Sequence, residues 1–187
     1  MQRRRAFSPS VFIAPEALEQ AARELRALSH SQGIRIALVG GYALAQYGST
    51  RLTGDLDVVA SGCPRGLPLR DKLSFGGIRT FVGNVPTDVI QRNDSYAPLY
   101  AAALKAARLR RGSSKVAIVP LEYLAAMKLA AHRAKDLLDL DFIMRSGRLN
   151  VPTTRRIIGY YVGGTYAVAD FDRMLTEAIW KKRNKIE

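Results

Sequence analysis

Cysteine and histidine are nearly missing from this chain. Cys63 is the only cysteine, and His30 and His132 are the only histidines. An internal disulfide and a cysteine-based zinc site are therefore excluded, and soft-ligand metal chemistry has little to work with. Neither His30 nor Cys63 receives a functional role. A single thiol points to a reducing, cytoplasmic setting as the default. Long apolar runs are missing too: no stretch approaches the roughly 20 residues of a membrane span, so neither a transmembrane helix nor a membrane partner is expected. The opening MQRRRAFSPSVFIAP is basic, but it lacks the long apolar core and small-residue cleavage site of a secretory signal. Internal repeats and low-complexity linkers are also absent.

Acidic residues are scarce. Sixteen Asp and Glu face 29 Lys and Arg, leaving a net charge of +13 over 187 residues. Such an excess attracts polyanions, nucleic acid before an acidic membrane surface, although it can also serve solubility alone. The basic residues cluster at Arg3–Arg5, in KAARLRRGSSK (105–115) and in KKRNK (181–185). Apolar residues make up 48%, enough to bury a core, so the chain reads as globular rather than disordered.

Periodicity divides that core into elements. PEALEQAARELRALSH (15–30) places Leu18, Ala21, Ala22, Leu25 and Leu28 on one helical stripe, with Pro15 in the first turn and Glu16 and Glu19 at the positive end. Short runs rich in branched residues predict strands at 34–39, 55–60, 78–82, 87–91 and 115–119. A short helix is expected from Gly40 to near Gly48, another over 96–109, and a long one from Pro120 that bends near His132. Two further helices complete the chain. This order predicts an α+β fold: a mixed sheet flanked by helices, with residues 1–119 as core and 120–187 as a helical region packed on it.

The densest chemistry lies in ALVGGYALAQYGSTRLTGDLDVVA (37–60). Asp55 and Asp57 stand at i and i+2 of an expected strand, so their side chains leave the same face. Two carboxylates so placed repel each other unless a cation lies between them, and hard oxygen ligands suit Mg²⁺. The same pattern also arises on any half-exposed strand. Gly40 and Gly41 sit between a strand and a helix, where bare backbone lets a phosphate approach; a tight turn is the plainer explanation. The 13 residues between Gly41 and Asp55 allow a short helix and a return, which would bring turn and carboxylates together.

The string Val39-Gly40-Gly41-Tyr42-Ala43 … Gly48 … Arg51-x-Thr53-x-Asp55-Leu56-Asp57 resembles the signature of the DNA polymerase beta-like nucleotidyltransferase superfamily, especially its small bacterial abortive-infection and toxin–antitoxin members. A second block, Pro120-Leu121-Glu122-Tyr123-Leu124 … Lys128-Leu129 … Arg133-x-Lys135-Asp136-x-x-Asp139-Leu140, is similar to that family's second conserved helix. The resemblance spans about residues 34–145. It implies a nucleotidyltransferase fold and transfer of a nucleoside monophosphate from a nucleoside triphosphate to an acceptor hydroxyl. Two Mg²⁺ ions are implied, held by Asp55, Asp57 and a third carboxylate on a neighbouring strand. Asp88 fits that place, because a lone Asp in an apolar strand is costly to bury without a cation or donors; Asp94, in Asn93-Asp94-Ser95, reads as a loop or cap.

The resemblance further implies nucleotide contacts from Gly40, Gly41, Tyr42, Arg51, Lys128, Lys135 and Asp136, with Lys128 reaching the phosphates. From spacing alone, Lys128, His132, Lys135 and Asp139 form one helical stripe that could equally be a solvated face. RNA, tRNA foremost, is the expected acceptor, and a cognate antitoxin protein is a possible partner implied by the resemblance. A protein or small-molecule acceptor such as an aminoglycoside is the first alternative; Gly-Gly-Tyr in place of Gly-Ser argues against that branch. A catalytically idle nucleic-acid- or partner-binding module is the second.

Overall fold

Ile36–Val39 is a run of four apolar residues, all buried, and it forms the first strand, β1. The computed structural model describes residues 12–109 and 115–185. Before β1, helix α1 (Pro15–Ser31) buries Leu18, Ala21, Ala22 and Leu25, the stripe its periodicity requires, against the sheet. Helix α2 (Gly40–Ala45) follows β1 directly. Strands β2 (Leu56–Ala60), β3 (Asp71–Lys72), β4 (Gly77–Val82) and β5 (Val85–Ile90) come next. The remaining helices are α3 (Ala97–Ala106), α4 (Leu121–Ala131), α5 (Ala134–Arg145), α6 (Val151–Ile158) and α7 (Gly164–Arg183), with a π-helical turn at Gly159–Gly163 between the last two.

The five strands run in the order β1-β2-β5-β4-β3. β2 and β5 are parallel, and every other pair is antiparallel. The sheet is thus mixed and flanked by helices, the α+β architecture the pattern of elements called for. β4 and β5 form a hairpin around Gly83-Asn84 in which Val82 pairs with Val85. Gly83 has φ +56°, the positive value a II′ turn needs at its first central residue.

Two expectations change. The apolar run at 115–119 is not a regular strand. Its Ile118 makes only isolated bridges, parallel to Leu38 and antiparallel to Arg108, because Pro120 turns the chain into α4 at once. The long helix from Pro120 is two helices. His132 adopts the left-handed conformation (φ 48°) and ends α4, and α5 starts two residues later.

Helix α4 is buried on nearly every side, by Leu121, Leu124, Ala125, Ala126, Met127 and Leu129, and it packs against α3, α5, α6 and the π turn. One hydrophobic cluster joins the sheet residues Leu38, Leu56 and Val58 to Leu140, Ile158 and Phe171 of the later helices. Among the described residues no helix is long and apolar enough to cross a membrane. The basic clusters at residues 3–5 and 110–111 lie outside the described residues; the third ends α7.

Candidate active site

Strand pairing places charged residues side by side. Asp57 of β2 is in register with Asp88 of β5, Asp88 with Arg79 of β4, and Arg79 with Asp71 of β3. Residues in register on neighbouring strands project from the same face. The sheet therefore carries a row Asp57–Asp88–Arg79–Asp71 across four strands, while Leu56 and Val58, on the opposite face of β2, are fully buried in the core. Asp55 lies one residue before β2 and is oriented by Thr53, whose Oγ1 donates to Asp55 Oδ1 at 3.0 Å.

Asp57 is the electrostatic focus. It retains some solvent contact, but the density of protein around it makes desolvation the first cause of a carboxyl pushed up to about 7. The charges of Asp55 and Asp88 raise it further, and Lys128 and Lys135 pull it back. A carboxylate crowded by two others favours a cation. Asp88, however, already has one: Arg79 donates from Nε to Oδ1 and from Nη2 to Oδ2, both at 2.8 Å. As the side chains stand, no three His, Cys, Asp or Glu residues among those described are gathered around a common metal position. Asp55 and Asp57 remain as two hard oxygen donors under mutual repulsion, a donor set that fits one Mg²⁺.

The glycine turn does lie beside this strand. Gly40 has φ +65°, and a Cβ there would overlap Asp57 Oδ2 and stand 2.7 Å from its Cγ. A Cβ on Gly41 would stand 2.9 Å from Thr53 Oγ1 and 3.1 Å from Arg51 Nη2. The bare backbone thus makes room for Asp57, Thr53 and Arg51 themselves. Gly40→Ala would combine a strained φ with that overlap, so it should cost about 1–3 kcal/mol of stability and displace Asp57. Urea unfolding checks the first effect, and unchanged stability would show that the turn relaxes freely.

Lys128 is 7% exposed and belongs to a chain of alternating charges. Its Nζ lies 3.0 Å from Asp136 Oδ1 and 2.6 Å from Asp139 Oδ2. Arg51 donates from Nε to Asp139 Oδ1 at 2.7 Å and from Nη2 to Oδ2 at 3.1 Å, while Arg133 grips Asp136 from Nε at 2.6 Å. Burial drives the Asp136 carboxyl upward, but the hydrogen bonds from Arg133 and Lys128 outweigh it and hold it below the usual range. The break at His132 creates this network: it turns α5 so that Asp136 and Asp139 face Lys128 instead of continuing one helical stripe, and it leaves His132 and Lys135 exposed.

The structure thus brings together Gly40, Asp55, Asp57 and Asp88, and Lys128 bridges Asp136 to Asp139, which Arg51 also holds. Tyr42 behaves differently: it is buried with Glu19 and Arg23 of α1 as its charged neighbours, and burial first, then Glu19, pushes its hydroxyl up. That surrounding is a core position against α1 and not the carboxylate row. Sequence reading missed Arg79 as a partner of Asp88. The signal was available: counting back from a two-residue hairpin turn at Gly83-Asn84 pairs residue 79 with residue 88.

No protein-family model matches this chain, and no curated protein sequence matches it. Solved structures do. One is the solution structure of the antibiotic-resistance factor ANT(2'')-Ia, with TM-score 0.55 and 13% identity over 86% of this chain and 98% of that one. Another is the crystal structure of an antigenic nucleotidyltransferase-like protein from Paracoccidioides brasiliensis, with TM-score 0.51 and 16% identity over 89% and 95%. The chain has the nucleotidyltransferase fold. At these identities the likeness is one of fold alone.

Proposed function

We propose that this protein is a Mg²⁺-dependent nucleotidyltransferase that moves a nucleoside monophosphate from a nucleoside triphosphate to an acceptor hydroxyl, with RNA, tRNA foremost, as the acceptor. The observation that carries the reading is the in-register pair Asp57–Asp88, with Asp55 two residues before Asp57 and the Gly40 turn against it, on a nucleotidyltransferase fold. Asp55 and Asp57 would hold the ion. Bound Mg²⁺ supplies positive charge to the triphosphate and to the departing pyrophosphate.

The chain's own residues do the rest. Thr53 orients Asp55. Arg51 lies beside the glycine turn with its side chain 36% exposed, so its guanidinium can meet a phosphate while Asp139 fixes its plane. Lys128, itself held by Asp136, fixes Asp139 in turn, and Lys135 adds positive charge near Asp57. In the reaction the acceptor oxygen bonds the α-phosphorus, the α–β phosphoanhydride breaks, pyrophosphate leaves and the hydroxyl proton is released. The +13 charge favours a polyanionic acceptor.

Purified protein incubated with each α-labelled triphosphate, Mg²⁺ and total cellular RNA should label RNA, and chelation by EDTA should stop it. Several phosphate contacts predict a fall on the order of 10²-fold or more in RNA affinity between 50 and 200 mM salt. Labelling of an aminoglycoside or a protein instead, indifferent to salt, would remove RNA as the acceptor. No labelling of any acceptor would remove the transferase reading.

A further inference from the structure

We infer that Arg79 stands where a second divalent ion would otherwise sit: Asp88 is committed to its guanidinium, so this site takes one divalent ion, on Asp55 and Asp57, instead of two. The inference rests on the proposed nucleotidyltransferase reading, and it replaces the two-ion expectation drawn from sequence.

Three observations carry it. Asp88 gives one oxygen to Arg79 Nε and the other to Nη2, both at 2.8 Å, so both of its metal-binding atoms already face a cation. The side-on fork of a guanidinium matches a carboxylate in two bonds at once, the geometry that makes such pairs strong. Secondly, the pair is built by the sheet. Arg79 and Asp88 are directly opposed in the β4–β5 hairpin, whose register the two-residue turn sets, so the contact does not depend on a mobile loop. Thirdly, Arg79 is flanked on its other side by Asp71, in register on β3, and Asp57 flanks Asp88. The order along the row is therefore acid, acid, base, acid. A divalent ion placed on Asp88 would stand within a few ångströms of a fixed positive charge, and like charges at that range repel.

Arg79 then acts through Asp88 as a positioning residue. It holds Asp88 in the row and offsets its charge beside Asp57, a task that a second ion would otherwise perform. It differs from an ion in being permanent, because a guanidinium neither dissociates nor loses its proton in a protein.

Counting bound Mn²⁺, used alone as a spectroscopic stand-in for Mg²⁺, tests this without any turnover. The full chain is titrated and free Mn²⁺ is read by electron paramagnetic resonance. The expected count is one for the wild type and two for Arg79→Met, which frees Asp88. The double variant Arg79→Gln with Asp88→Asn removes both charges at once, and it should still bind one ion with affinity within about threefold of the wild type. Its result decides the matter if Arg79→Met fails to fold. A wild-type count of two, falling to one in the double variant, would overturn the inference and leave the metal reading of Asp55 and Asp57 in place. A wild-type count of zero, unaffected by Asp57→Asn, would overturn both.

Discussion

Asp57→Asn should reduce nucleotidyl transfer by on the order of 10³-fold or more, the scale of losing a charge-stabilising group from the reacting centre, while the fold survives with equal or greater stability at pH 8. Both halves follow from the same electrostatics. Burial and the charges of Asp55 and Asp88 push the Asp57 carboxyl from its ordinary 3.8 up to about 7. The folded chain therefore binds a proton more tightly than the unfolded chain between those two values. Stability is lost as pH rises through that window, and above about 7 the full cost of the ionised group is present. A displacement of about three pH units at roughly 1.4 kcal/mol each sets an upper bound of about 4 kcal/mol on that cost.

Asparagine keeps the shape and never ionises. Its melting temperature should stay level across pH 4–8, apart from the behaviour of other groups, while the wild type falls. Mg²⁺ should raise the wild-type melting temperature at pH 8 and leave the Asn variant unmoved. Undiminished transfer by the variant would sink the metal assignment. A marked drop in its stability at pH 8 would mean that the Asp57 charge is already satisfied by protein donors.

Lys128→Met should have the largest effect on stability. The Lys128 ammonium is nearly sealed from solvent between Asp136 and Asp139, whose side chains are 0% and 2% exposed. Removing one member of a buried ion cluster leaves the others with charge they cannot hydrate, typically a loss of about 3–5 kcal/mol. Each carboxylate here keeps one arginine, Arg133 or Arg51, so a loss of about 3 kcal/mol, toward the lower end, is expected. For a chain of this length that corresponds to roughly 6–12 °C in melting temperature. A triple change of Lys128→Met with Asp136→Asn and Asp139→Asn should recover much of it, because no unpaired charge then remains. If the single variant unfolds within about 1 kcal/mol of the wild type, the network is hydrated and the buried-charge account fails.

Most of the strands were legible because their signal is local. Ile36–Val39, Leu56–Ala60 and Gly77–Val82 lie within two residues of the apolar runs that marked them, since alternation and branched side chains act over neighbouring positions. The failed strand at 115–119 has the same composition but only single-residue bridges to Leu38 and Arg108. A strand needs a partner as well as a propensity, and Pro120 removes the chain from β1 before a ladder can form. The bend expected near His132 is there, but it is a full break between two helices: Lys128 to Asp139 keeps helical spacing in sequence across a turn that one left-handed residue, His132, introduces.

The candidate site divides along the same line. The Gly-Gly turn, Asp55-x-Asp57 and Asp88 are visible to anyone reading the chain in order, because each is a departure from an apolar run a few residues long. Which charge meets which is not. Arg51 and Asp139 are 88 residues apart and Arg79 and Asp88 nine, and the +13 chain offers many cations for each acid. Amino-acid order was enough to set the elements, the carboxylates and the close backbone bend, because those depend on steric and solvation preferences of adjacent residues. Folding alone chose the partners, tying Asp88 to Arg79 and Lys128 to two acids, because Coulomb attraction and desolvation depend on distances that exist only once the sheet and the helices have packed.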